Sequence, residues 1–179
     1  VSVYTTRPDT LFGATFFVVA ADAKLAADIV SDEQRPTYED YLNETRKSSD
    51  IDRMATDRPK TGVFLGAYAV NPVNGQQIPI WASDYVLADY GTGAIMAVPG
   101  QDERDWAFAE KFDLGIVRTV QPPAGFEEDG GKAFTGQGPA VNSANDEISL
   151  DGMAVAEAKT AIIDWLEGKA AGTRAVNFR

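Results

Sequence analysis

The chain has 179 residues, 44% of them apolar, with 16 basic against 27 acidic side chains and a net charge of −11. That length buries a substantial core without cross-links; the acidic balance is poor for gripping a long duplex, which needs clustered positive charge, though not for touching one end of a nucleic acid held by a partner domain. Histidine and cysteine are both absent, which excludes disulfides, thiol nucleophiles, thiolate or imidazole metal sites and the Ser-His-Asp triad. Any catalysis must use carboxylates, hydroxyls, backbone dipoles or the substrate's own groups.

In chain order, residues 1–4 alternate as a short strand. Thr5-Thr6-Arg7-Pro8-Asp9-Thr10 breaks it, because Pro8 disfavours helix at Arg7 and Asp9 is placed to cap a turn through Phe12. Residues 15–20, β-branched and aromatic, read as a strand. Asp22 opens a helix to about Val30. Ser31 and Gln34 have capping-box spacing, Pro36 fits a first helical turn, and Tyr38, Tyr41, Leu42 and Thr45 form a stripe ending near Ser48. Residues 61–70 and 76–82 form a hairpin around Asn74-Gly75. Residues 85–87 and 94–98 flank Gly91-Thr92-Gly93. Asp102 caps a helix to about Phe112, with Trp106, Ala109 and Phe112 inward. Residues 116–120 read as a strand. Residues 121–145, rich in glycine and proline, read as a long loop with a short strand near 132–134. Residues 154–167 form an amphipathic helix closed by Gly168.

This order suits neither a doubly wound sheet nor a bundle. It predicts an α+β fold: a mixed or antiparallel sheet curled into a β-barrel-like core with surrounding helices. There is no internal repeat. The longest early apolar run, 14–21, is about eight residues against the 18 or so of a membrane span. Arg7 and Asp9 in the polar first segment speak against a secretory leader, so the expected location is cytoplasmic. Both ends stop in strand-like sequence, so residues 1–179 are expected to be one domain excised from a larger chain.

Three constellations carry chemistry. Thr5-Thr6-Arg7-Pro8-Asp9-Thr10 supplies hydroxyls and a cation at a strand end, fit to place water, ribose or phosphate, or simply to turn the chain. Tyr90-Gly91-Thr92-Gly93, leading to Met96 and Val98, offers close backbone approach and an aromatic face for a base, or a tight β-turn; it is neither a Walker loop nor a dinucleotide fingerprint. Asp102 and Asp105 share one helix face and suit an ammonium group, or a capped helix start. The residues alone also fit a carboxylate hydrolase of small substrates, a noncatalytic nucleotide-binding module or a structural insertion.

Taken together, VYTTRPDTLFGAT at 3–15 and YGTGAIMAVPGQDERDWAFA at 90–109 closely resemble the editing domain inserted into leucyl-tRNA synthetases of bacterial type. NPVNGQQIPIWASDYVL at 71–87 and the closing AVNFR are similar to the same family. One departure stands out: Gln101 occupies a position that is usually histidine. The resemblance implies hydrolysis of the ester joining isoleucine, valine, methionine or norvaline to the 3′-terminal adenosine of tRNA(Leu), with leucyl-tRNA spared. It implies roles as well. Thr5, Thr6 and Asp105 are catalytic, the threonines placing ester, ribose and water and Asp105 anchoring the α-ammonium with help from Asp102 and the Met96 carbonyl. Thr10 gates against leucine, and Met96 and Val98 line the amino-acid pocket. Leu87 and Tyr90 hold the adenine, Arg7 sits near the nucleotide backbone, and Arg104 is a weaker candidate. No metal or cofactor is implied for editing; ATP and magnesium would serve the parent synthetase at a separate site. The implied partners are the tRNA end, the rest of the synthetase, and boron-containing inhibitors that form adducts with the terminal diol. No membrane is implied.

Overall fold

The computed structural model describes residues 1–55, 57–126 and 131–175. A six-residue 3-10 turn, η1 (Pro8–Gly13), leads into β1 (Phe16–Ala20). Three helices follow: α1 (Lys24–Ile29), α2 (Arg35–Thr45) and α3 (Asp50–Arg53). Then come β2 (Gly62–Val70), β3 (Gln77–Ser83), β4 (Ala94–Ala97), α4 (Glu103–Phe112) and α5 (Val155–Gly168). The strands make one mixed sheet in the order β2-β3-β1-β4, with β1 parallel to β3 and antiparallel to β4. The fold is α+β as expected, but the sheet is open, with β2 and β4 as its edges, rather than closed into a barrel.

β1 is central and every residue in it is buried. Its near-continuous apolar run is the signature of a strand covered on both faces. Phe17 and Val19 face Ala26, Val30 and Tyr38 beneath α1 and α2. Phe16, Val18 and Ala20 face Tyr85, Val86, Phe108 and Ala109 beneath α4. The two-residue alternation of a strand divides five consecutive apolar side chains between two cores. A third cluster packs Phe12 of η1 against Leu150, Ala158 and Ile162, which holds α5 to the turn that opens the chain.

The hairpin forms where Asn74-Gly75 predicts it: Gly75 has φ +68°, and Asn71 N–H donates to Gln76 O at 2.9 Å. Half of the predicted capping box forms, since Ser31 Oγ accepts the Gln34 N–H at 3.3 Å while Gln34 gives no side-chain cap.

Several expected elements are absent. Residues 1–4 lie in no strand: Val1 is 77% exposed and no neighbouring strand pairs with them. Residues 116–120 contribute a single bridge, Val120 to Ala140. Their polar groups are met irregularly instead, as where Thr119 O accepts from Val141 N. Residues 132–134 form no strand. In α4 the deeply buried aromatic is Phe108, whereas Trp106 and Phe112 are half-buried. α3, with its Ser49/Asp52 capping box, was not anticipated. The expected closing strand at 175–179 falls, beyond Ala175, outside the described residues.

Candidate active site

The antiparallel pairing of β1 and β4 sets Phe16 opposite Ala97. The turn η1, which precedes β1, and the Val98–Asp105 stretch, which follows β4, therefore meet at one end of the sheet. Thr15 N–H seals the junction by donating to Ala97 O at 3.2 Å.

Val98, Pro99 and Gly100 make the turn from β4 into α4, with the Gln101 and Asp102 N–H groups both donating to Val98 O. A Cβ on Gly100 would lie 2.6 Å from Val117 O, so only glycine allows that approach. Asp102 is the N-cap of α4, and its carboxylate accepts from the Arg104 and Asp105 N–H groups. Its Oδ2 also pairs with Arg104 Nη2 at 3.0 Å. Burial pushes the Asp102 pKa up, but the Arg104 guanidinium and backbone donors outweigh it and hold the carboxyl below its ordinary range. Asp102 is thus an ionised cap.

Asp105 is the opposite case. It is 3% exposed, with Oδ1 accepting from Tyr85 Oη at 2.8 Å and Oδ2 from Val98 N–H at 2.9 Å. Burial, reinforced by the Asp102 charge, raises its pKa to about 7; the Tyr85 and Val98 hydrogen bonds oppose the rise. Two carboxylates three residues apart are driven in opposite directions by their surroundings, a pattern typical of functional sites. A carboxylate has about four acceptor positions, so two remain on Asp105 for a ligand. Burial and the facing Asp105 also push the Tyr85 phenol well above its ordinary range, and Tyr85 therefore remains a donor.

Tyr85 is held in turn by Arg53. This 4%-exposed guanidinium donates to Asp84 O, Val86 O and the Asp22 carboxylate. Neither Tyr85 nor Arg53 was singled out from the sequence, since no spacing rule links positions 53, 85 and 105.

On η1, Thr10 is 1% exposed and its hydroxyl donates to Arg7 O at 2.9 Å. Thr5 Oγ1 accepts the Arg7 N–H at 3.0 Å in a local turn. Thr6 is exposed. The Arg7 guanidinium grips Asp9 through Nε and Nη2. Met96 is half-buried on β4 opposite Phe17, and Val98 is buried. Leu87 and Tyr90 lie before β4, at the end of that strand away from Val98. The three residue steps from Ala94 to Ala97 separate the two ends by about 10 Å. Tyr90 is 78% exposed on a turn whose Gly91 and Gly93 have φ +61° and +69°. The β1–β4 register thus puts η1, which carries Thr10, and the Val98–Asp105 stretch at one end of the strand pair, while Leu87 and Tyr90 precede its other end. Gln101 is structural: Nε2 donates to Gly100 O and Phe134 O, while Oε1 accepts from the Thr119 N–H and hydroxyl. Two surface hollows lie along α5, one of about 580 Å³ beside Met153, Glu157 and Thr160 and one of about 350 Å³ beside Gln137 and Pro139, and no predicted site residue lines either.

Comparison with known families settles the lineage. The family described as leucyl-tRNA synthetase, editing domain, matches residues 1–167. The chain belongs to the leucyl-tRNA synthetase editing-domain family. All of it aligns at 57% identity with a leucine–tRNA ligase of a Nocardioides species and at 52% with that of Salinispora arenicola. The chain spans about a fifth of the length of these curated relatives, 21% and 20% respectively. Among solved structures, the ternary complex of Agrobacterium radiobacter agnB2 LeuRS, tRNA and LeuAMS is similar over 98% of this chain and 18% of its own. The match has 30% identity and a TM-score of 0.68. Among the described residues of this editing domain, no helix is long and apolar enough to cross a membrane, and no three acidic side chains converge as a metal site.

Proposed function

We propose that the chain hydrolyses the ester linking isoleucyl, valyl, methionyl or norvalyl groups to the 3′-terminal adenosine of tRNA(Leu), and spares leucyl-tRNA. One methylene of difference gives a synthetic pocket only about 1–3 kcal/mol of discrimination, so a second site must remove the errors. The observation that supports this reading is Asp105: a buried carboxylate, aimed by Tyr85 and Val98, with acceptor capacity left for an α-ammonium. An arriving ammonium favours its charged form and fixes the ester carbonyl relative to Thr5 and Thr6. Thr10 is the gate: its hydroxyl is tied to Arg7 O, which fixes the direction of its methyl against a leucine side chain. Met96 and Val98 line the amino-acid pocket, Asp102 assists the ammonium, and Leu87 and Tyr90 take the adenine across the length of β4.

In the step itself, water attacks the ester carbonyl, the carbon–oxygen bond to the ribose breaks, and the freed 3′-oxygen takes a proton through the vicinal hydroxyl. An aminoacyl ester is already activated, so positioning and hydroxyl donors near the oxyanion suffice. Editing in this proposal uses no cofactor or metal. ATP and magnesium chemistry belongs to the remainder of a cytoplasmic synthetase, which also grips the tRNA. The terminal diol gives boron-containing inhibitors a point of capture. Deacylation of isoleucyl-tRNA(Leu) beside leucyl-tRNA(Leu), by this chain and by the synthetase that carries it, tests the reading. Loss of the first substrate alone is expected; equal loss of both, or of neither, refutes it.

A further inference from the structure

The segment between α3 and β2 holds two cationic side chains with donors that no described residue accepts. Lys60 is 7% exposed, yet among the described residues its ammonium makes no hydrogen bond or ion pair; it sits over the Tyr85 ring face, 5.6 Å from the centroid. Arg58 gives Nη2 to Asp84 at 3.0 Å, but its Nη1 is buried without a partner. The neighbouring charges close on themselves, Arg58 with Asp84 and Arg104 with Asp102. Lys60 is the cation left over. Burial and the Arg104 charge both disfavour its ammonium, with Asp84 and Asp102 only partly opposing. An ammonium partly desolvated in that position, with its tip still open to solvent, favours an anion beside it.

The Tyr85 ring thus separates two unmet charges. Its face carries Lys60; its hydroxyl holds Asp105. A ligand that satisfies both brings a cationic amino group and an anion on one molecule, as the aminoacylated 3′ end of a nucleic acid does. Arg7, the cation that the sequence suggested for the nucleotide backbone, is engaged by Asp9. We propose that Lys60, with Arg58 beside it, is a phosphate subsite of the editing pocket, taking a phosphodiester of the strand whose 3′ end carries the amino acid. This rests on the editing reading. A lysine suits the task as a compact point charge on a stem that packs along apolar surface.

The test uses the full synthetase with Lys60→Met and Lys60→Arg, on misacylated tRNA(Leu) and on 3′-isoleucyl adenosine, which lacks phosphate. Lys60→Met should raise KM for the tRNA about tenfold and flatten the slope of log KM against log salt by about 0.7. It should change hydrolysis of the nucleoside ester less than twofold, and Lys60→Arg should restore most of the tRNA affinity. Equal losses on both substrates would overturn the subsite and place Lys60 in service of Tyr85 or the fold, and an unchanged KM for the tRNA would overturn it too. Direct binding separates this proposal from the editing reading. Adenosine 5′-monophosphate should bind the wild type more tightly than adenosine, and Lys60→Met should erase the difference whether or not any ester is hydrolysed. If the variant keeps that difference, or if inorganic phosphate binds the wild type as tightly as the nucleotide, the strand assignment fails.

Discussion

Tyr85 and Asp105, twenty positions apart, meet through a 2.8 Å hydrogen bond inside the protein. The phenol, with the Val98 N–H, favours the ionised form of a carboxylate that burial would otherwise keep neutral. Because Asp105 titrates at about 7 and in the proposed role binds an ammonium only as the anion, kcat/KM for deacylation should rise with pH through about 7. Tyr85→Phe removes a hydrogen bond to the charged form, so the rise should move to higher pH. A rate that is flat between pH 6 and 8 in the wild type would remove Asp105 from the binding step.

The same residue makes stability depend on pH. Asp105 ionises near 3.8 in the unfolded chain and near 7 when folded, so the folded state holds the proton more tightly. The contribution is complete below about pH 4 and is lost as the pH rises through 7. Asp105→Asn cannot ionise. Its Tm relative to wild type should therefore climb between about pH 4 and 7 and level off above that, while deacylation is abolished. A constant difference between about pH 4 and 7 would contradict the buried titration.

Thr10→Ala removes the methyl wall and the hydroxyl that donates to Arg7 O. The full synthetase carrying it should hydrolyse leucyl-tRNA(Leu), with a stability loss of about 1 kcal/mol for the lost hydrogen bond. Unchanged sparing of leucine in a deacylation time course would dismiss Thr10 as the gate.

Arg53→Met strands the Asp22 carboxylate and the carbonyls of Asp84 and Val86. Breaking a buried charge network from one side costs about 3–5 kcal/mol, or roughly 6–20 °C in Tm at this chain length. Calorimetry checks it; a shift under about 3 °C would show that the network contributes little.

Gln101→Ala should lower Tm while leaving the preference for isoleucyl over leucyl esters intact, because all four side-chain hydrogen bonds of Gln101 run to the protein. A change in that preference would place Gln101 at the substrate instead.

Local patterns were legible wherever local physics decides the outcome. The Asp102 cap, the Asn74-Gly75 turn, the buried β1 run and the amphipathic α5 all depend on residues within a few positions of each other. Residues 1–4 and 116–120 have the composition of strands but lack a partner ladder, and β-propensity alone cannot supply one. The motif places α4 but not its buried face, which turns on Phe108 rather than Trp106, because which side of a helix points inward depends on what lies beneath it.

The sequence by itself determined the family, the α+β class and the two segments that carry the proposed site, because long ordered motifs and absent residue types can be read in one dimension. Only the tertiary structure decided that the sheet stays open, that Asp102 and Asp105 receive opposite electrostatic treatment, and that Tyr85, Arg53 and Lys60 gather around them. Burial and pairing are properties of neighbours in space, and those neighbours sit tens of positions apart along the chain.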